Sequence, residues 1–136
     1  MRSKKAFTLI EILLVVVIIG ALSSMVLPRL IGRSDQAKKT ASQVDINTNI
    51  ATALKLYDLD SGNFPTTEQG LGALLSKPSA SPAPENWNGP YMERRPIDPW
   101  GRPYIYKSPG DHRPDYDLSS MGKDGKESDD DIKNWE

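Results

Sequence analysis

Residues 121–131, MGKDGKESDDD, hold the densest set of hard oxygen donors in the chain. Asp124, Glu127, Asp129, Asp130 and Asp131 bring carboxylates, and Ser128 brings a hydroxyl. Such oxygens suit calcium, which takes about six to eight of them, backbone carbonyls included. Gly122 and Gly125 permit the tight backbone that would aim carbonyls inward. The stretch is not an EF-hand. Counted from Asp124, the third position is Lys126, and Asp129 rather than glycine stands at the sixth. Residue types alone leave two readings open, a cation loop and a solvated acidic tail.

Little else in the chain could do chemistry. His112 is the single histidine, set between Asp111 and Arg113 in a turn-like stretch, and reads as a surface residue. There is no cysteine, hence no thiol nucleophile and no disulfide. No glycine-rich phosphate loop occurs, and no Ser-His-Asp spacing suggests a triad. Carboxylate pairs can serve acid–base chemistry, but a cation or solvent accounts better for these. An enzyme is not expected. The chain carries 17 basic and 18 acidic residues, for a net charge of −1. Without Arg2, Lys4 and Lys5 it would hold 14 basic residues against 18 acidic, near −4. A nucleic-acid binder would show a basic stripe, and none is present.

The elements that must position these residues follow from hydropathy. With 136 residues the chain has room for one small domain. Residues 7–27, FTLIEILLVVVIIGALSSMVL, are about long enough to cross a bilayer as a helix. Basic residues precede the run, and Arg29 and Arg33 follow it. The positive-inside rule then puts the N-terminus in the cytoplasm and the remainder outside. Glu11 interrupts the run, and an unpaired charge there costs roughly a few kcal/mol. It either snorkels to the interface or has a cationic partner. Pro28 removes a backbone donor, and so ends the span or bends a helix that continues; a bent, continuing helix is expected.

Over residues 29–60 the pattern turns amphipathic. Ala37, Ala41, Val44, Ile50, Ala51, Leu54 and Tyr57 recur on one helical face. Asp60-Ser61-Gly62-Asn63 is a stop signal. Residues 64–71, FPTTEQGL, open a second, shorter helix, with Thr66 and Gln69 spaced as a capping box. Residues 77–90 are a loop rich in Pro, Ser and Asn. Residues 98–101 are a turn. Tyr104-Ile105-Tyr106 and Tyr116-Asp117-Leu118-Ser119 are short strands joined through Ser108-Pro109-Gly110. A head this small without disulfides needs another staple, either a metal or assembly.

Lys5-Ala6-Phe7-Thr8-Leu9-Ile10-Glu11 resembles the processing site of type IV pilins and type II secretion pseudopilins. FPTTEQGL, RRPIDPWG and the ending SSMGKDGKESDDDIKNW, in that order, narrow the resemblance to the major pseudopilin family of type II secretion, general secretion pathway protein G. It covers essentially the whole chain. It implies an α+β, type IV pilin-like fold: a long N-terminal helix, half in the membrane and half packed on a small head of short helix and β-hairpins. The implied segments are a cleaved basic leader (1–6), a transmembrane assembly helix (7–28), its amphipathic continuation (29–60) and a periplasmic head (61–136).

The resemblance further implies cleavage between Ala6 and Phe7 by a prepilin peptidase, which then methylates the Phe7 amino group. Ala6 stands where the family usually has glycine. Glu11 would pair with the Phe7 ammonium of a neighbouring subunit, and a buried carboxylate is tolerable when so paired. A structural calcium would be held by the carboxylates of Asp124, Asp130 and Asp131, the Ser128 hydroxyl, and the backbone carbonyls of Met121 and Lys126. Glu127 and Asp129 would face solvent. The implied function is structural: a subunit that polymerises into a periplasmic pseudopilus, growing from the inner membrane and supporting protein export. Implied partners are further copies of itself, minor pseudopilins, the inner-membrane assembly platform with its cytoplasmic ATPase, and the outer-membrane secretin. Two other readings stand beside it. A type IV or competence pilin is disfavoured by the missing cysteine pair. A membrane-anchored calcium-dependent binding module is disfavoured by Glu11, which a mere anchor does not need.

Overall fold

The computed structural model describes residues 6–136, so the expected leader, apart from Ala6, lies outside the described residues. The chain divides into two compact units, Met1–Gln36 and Ala37–Glu136. In the first, helix α1 begins at Leu9 and runs to Val44 in the second. Its opening window, Leu9–Val26, has a mean hydropathy of 2.7 over 18 residues, and none of it is buried by the rest of the chain. At about 1.5 Å per residue that window is about 27 Å long, close to the ~30 Å hydrocarbon layer of a bilayer. Leucine, isoleucine and valine side chains here stand mostly exposed, Leu9 at 85% and Ile10 at 72%. Each such side chain left in water forgoes roughly 1.5–3 kcal/mol of burial. This helix is built to be covered by lipid or protein. The helical run is unbroken at Pro28, and the side chains of residues 27–31 lie outside the described residues.

In the second unit the helix passes through a π-turn, Asp45–Asn49, before resuming as α2, Ile50–Ser61. A π-turn holds one residue more than the α ladder would. That residue corrects the uniform helical face read from the sequence. Upstream of the turn, Ala37, Ala41 and Val44 are exposed and Ser42 is buried, and within the turn the buried residue is Ile46. Downstream, Ile50, Ala51, Leu54 and Tyr57 are buried as the periodicity predicts. Asp45 anchors the turn. Its carboxylate accepts from Asn49 Nδ2 at 2.7 Å and from the Tyr104 hydroxyl at 2.9 Å. Burial pushes the Tyr104 phenol up, so it stays a neutral donor. Gly62 closes α2, donating its amide to the Asp58 carbonyl at 2.7 Å.

Thr66 and Gln69 form a reciprocal cap: each amide donates to the other's side-chain oxygen, at 3.0 and 3.2 Å. The short helix this opens is a 3-10 turn, Gly70–Leu74, rather than a full α-helix. Three antiparallel strands follow, β1 (Ile105–Lys107), β2 (Asp117–Ser120) and β3 (Ile132–Lys133), in the order β1-β2-β3. Tyr106 pairs with Leu118, and Ser120 with Ile132. One core joins Ile46, Ile50, Leu54 and Tyr57 of the helix to Leu71 and Leu74, and to Tyr104, Tyr116, Leu118 and Ile132 of the sheet region.

Asp117 ties off the β1–β2 connection. It is 7% exposed. Its carboxylate accepts from the amides of Asp111, His112 and Arg113 at 2.9, 3.0 and 3.0 Å, and His112 Nδ1 lies 2.8 Å away. Burial works to raise this carboxyl, but the hydrogen bonds from His112, Asp111 and Arg113 outweigh it and hold it below the ordinary carboxylate range. A depressed carboxyl stabilises the fold above its unfolded pKa of about 3.9, and that stability is lost as pH falls through the lower folded value. Asp117→Asn is therefore expected to cost about 1–3 kcal/mol at pH 7. Urea unfolding should show the gap between variant and parent closing as the pH is taken below about 4. A gap that stayed constant with pH would place the effect elsewhere than in the charge.

Candidate functional site

Two places gather the residues singled out by sequence, and each lies within one unit. The first is the start of α1. Thr8 is its N-cap and Glu11 sits in the first turn. The Glu11 amide donates to Thr8 Oγ1 at 3.3 Å, and the Thr8 amide donates to Glu11 Oε2 at 3.3 Å. This reciprocal capping box satisfies donors that a helix end otherwise leaves open. Glu11 thus has an intramolecular role beside the two readings its position suggested. The signal was in the sequence as Thr8-x-x-Glu11. Both residues are exposed, as are Ala6 and Phe7, the latter at 77%. Neither cap bond consumes the carboxylate's charge, so it remains available to a cation.

The second place is the connection between β2 and β3, residues 121–131. One carboxylate oxygen from each of Asp124, Asp130 and Asp131 lies within 4.8 Å of the others. Calcium–oxygen bonds run about 2.3–2.6 Å, so ligands of a single ion stand up to about 5 Å apart, and these three fit. Two Asp130 contacts order the loop: Ser128 Oγ donates to Asp130 Oδ1, and the Lys123 amide donates to Oδ2 at 3.2 Å. The Ser128 hydroxyl bond, followed by the Lys123 amide, holds the Asp130 carboxyl low against partial burial. Asp124 Oδ1 accepts from the Lys126 amide at 3.0 Å.

Asp131 differs. Its Oδ1 is buried with no hydrogen-bond partner, and burial pushes its carboxyl up. A buried carboxylate oxygen without a donor is costly, and a bound cation would relieve it. Gly122 has φ +60°, and a methyl there would meet the Asp130 carbonyl oxygen at 2.7 Å and Oδ2 at 2.8 Å. Only glycine lets this backbone approach the carboxylate so closely. The donor set therefore suits a hard divalent cation.

Of the remaining predicted residues, Ser128 is in the cluster through Asp130. Met121 O accepts from the Gly125 amide at 3.2 Å. Lys126, Glu127 and Asp129 are exposed. His112 sits apart, stacked on Trp135 with ring centroids 4.3 Å apart and paired with Asp117. What sequence reasoning missed is the support beneath the loop, which comes from residues 98–102.

An exposed apolar helix capped by a carboxylate, together with a helix packed under a small antiparallel sheet, defines the type IV pilin-like class. The chain matches the family "Type II secretion system (T2SS), protein G" over residues 29–135, and the "Prokaryotic N-terminal methylation motif" over residues 1–27. It is 49% identical over 140 residues to the type II secretion system core protein G of Pseudomonas aeruginosa, covering 99% of this chain and 97% of that one. It is 46% identical over 136 residues to the core protein G of Aeromonas hydrophila, covering 98% and 94%. Its structure is similar to the crystal structure of the major pseudopilin from the type 2 secretion system of enterohaemorrhagic Escherichia coli. That likeness has a TM-score of 0.70 and 42% identity, over 78% of this chain and 89% of the other. The chain belongs to the type II secretion system protein G family, the major pseudopilins.

Proposed function

We propose that the chain is the repeating subunit of a periplasmic pseudopilus and catalyses nothing itself. The observation that carries this is the uncovered helix Leu9–Val26, apolar apart from Glu11, Ser23 and Ser24 and not buried by the rest of its own chain. In the membrane lipid covers it, and in a fibre its neighbours do. A prepilin peptidase cuts between Ala6 and Phe7 and methylates Phe7. Glu11 then pairs with the Phe7 ammonium of an adjacent subunit and sets the axial register. The chain is a single-pass protein of the bacterial inner membrane with its head in the periplasm. An assembly platform and a cytoplasmic ATPase drive polymerisation, minor pseudopilins join the fibre, and the outer-membrane secretin passes the exported proteins. Asp124, Asp130, Asp131 and Ser128, with the Met121 and Lys126 carbonyls, hold a structural calcium that orders the β2–β3 loop.

Intact-mass spectrometry of the chain from native membranes tests the processing step. The expected mass is that of residues 7–136 plus one methyl group. A chain that keeps residues 1–6 would instead be a permanent anchor, and the fibre reading would fail.

A further inference from the structure

The turn at residues 98–102 reaches the acidic loop from both of its own ends. Asp98 is 4% exposed. Its Oδ1 accepts from the amides of Trp100 and Arg102 at 3.1 and 2.8 Å, and its Oδ2 from Ser120 Oγ at 2.7 Å. Ser120 Oγ in turn accepts from the Gly122 amide at 3.2 Å. From the other end, Arg102 donates through Nη1 to the Gly122 carbonyl at 2.7 Å and through Nη2 to the Lys123 carbonyl at 3.3 Å. The turn is itself closed, since the Asp98 amide donates to the Arg102 carbonyl at 2.7 Å. Both peptide groups of Gly122 are therefore fixed by one rigid element. The guanidinium is seated closely: a methyl on Gly125 would lie 2.5 Å from Arg102 Cζ.

A positive side chain beside a cation loop is unfavourable by charge alone. Its place there is explained by what its planar fork holds. We propose that the 98–102 turn is the positioning element of the cation loop. Arg102 directs the Gly122 and Lys123 carbonyls to its guanidinium, and Asp98 acts through Ser120 on the Gly122 amide. Gly122 is thereby held in its left-handed conformation, with Asp130 resting against it. None of these three side chains needs to touch the ion. Residues that orient a metal's ligands in this way commonly govern affinity by about 10–100-fold. The proposal rests on the calcium reading above and adds residues outside the loop.

The two effects of Arg102 have opposite signs, which makes the test sharp. The full-length chain in detergent is titrated with calcium in chelator-buffered solution, with the melting midpoint as readout. Arg102→Gln removes a positive charge, which alone would tighten calcium binding. Loss of positioning is expected to weaken it about tenfold or more, while the melting midpoint in chelator changes much less than the calcium response. Arg102→Lys keeps the charge but not the fork, and is expected to leave the weakening largely uncorrected. Equal or tighter binding by Arg102→Gln would overturn the proposal. If that variant does not fold by circular dichroism, Ser120→Ala serves instead, because it cuts the link from Asp98 to the Gly122 amide without altering a residue of the loop itself; unchanged affinity there is equally fatal. A wild-type chain with no calcium response would overturn the calcium reading, and this proposal with it. That result is distinct from a wild-type response that the variants leave intact.

Discussion

Glu11→Gln should abolish fibres while leaving the subunit processed, inserted and helical. The structure makes this substitution more informative than alanine. Glutamine serves at the third position of a capping box nearly as well as glutamate, so the contacts with Thr8 survive. What it lacks is charge. If Glu11 neutralises a neighbour's Phe7 ammonium within an apolar fibre core, the variant leaves that ammonium buried and unpaired. Breaking a buried pair in this way costs about 3–5 kcal/mol. At about 1.4 kcal/mol per factor of ten, that is roughly a hundred- to four-thousandfold in the association constant at every subunit interface. Fibres counted by electron microscopy, or pelleted from sheared cells, should fall below detection. Mass spectrometry should still show the methylated mature chain. Normal fibres with Glu11→Gln but none with Glu11→Ala would assign the residue to the cap instead, and the pairing would have to be abandoned.

Calcium removal should lower the melting midpoint of the head by roughly 10–30 °C. A ligand present at about 100 to 1,000 times its Kd stabilises the state it binds by about 3–4 kcal/mol. In a unit of about 100 residues each kcal/mol moves the midpoint by roughly 4–8 °C. Differential scanning calorimetry with and without EDTA reads this directly, and added calcium should restore the midpoint. Magnesium should restore it poorly, because it demands a smaller and more regular oxygen shell. Asp131→Ala should erase the calcium-dependent part of the shift, since the buried Oδ1 that lacks a donor belongs to that residue. A midpoint indifferent to EDTA would return residues 121–131 to the status of a solvated acidic segment.

Much of this was legible in the sequence, and the exceptions have physical causes. The apolar run, the stop after Asp60 and the Thr66–Gln69 cap are local signals, and local signals can be read from neighbours in the chain. The acidic stretch was readable for the same reason, but its residue types left a cation loop and a solvated tail both open, and the choice of Asp124, Asp130 and Asp131 came from the family resemblance. The π-turn was not, because a periodicity search assumes one period throughout. A single added residue shifted the buried face from Ala41 and Val44 to Ser42 and Ile46. Strand β3 was missed because two residues are too few for an alternation to show. The Arg102 and Asp98 contacts join positions about twenty residues apart, and only folding brings them together. The knot at Asp117 is local, but its residues read simply as a polar turn. Nothing in their types announces that one carboxylate collects the three amides.

The π-turn also bears on how this family can change length. A helix that carries one residue beyond the α ladder holds a removable unit. Deleting a residue from the Asp45–Asn49 stretch would let the ladder close as ordinary α-helix without rotating Ser42 against Ile50. The same deletion a turn earlier or later would swing every side chain on one side of it by about 100°, the angle between successive residues at 3.6 per turn. Relatives one residue shorter in this helix are therefore expected to have lost it here. Aspartate at 45, tied to Tyr104, marks the place where such a gap belongs in an alignment.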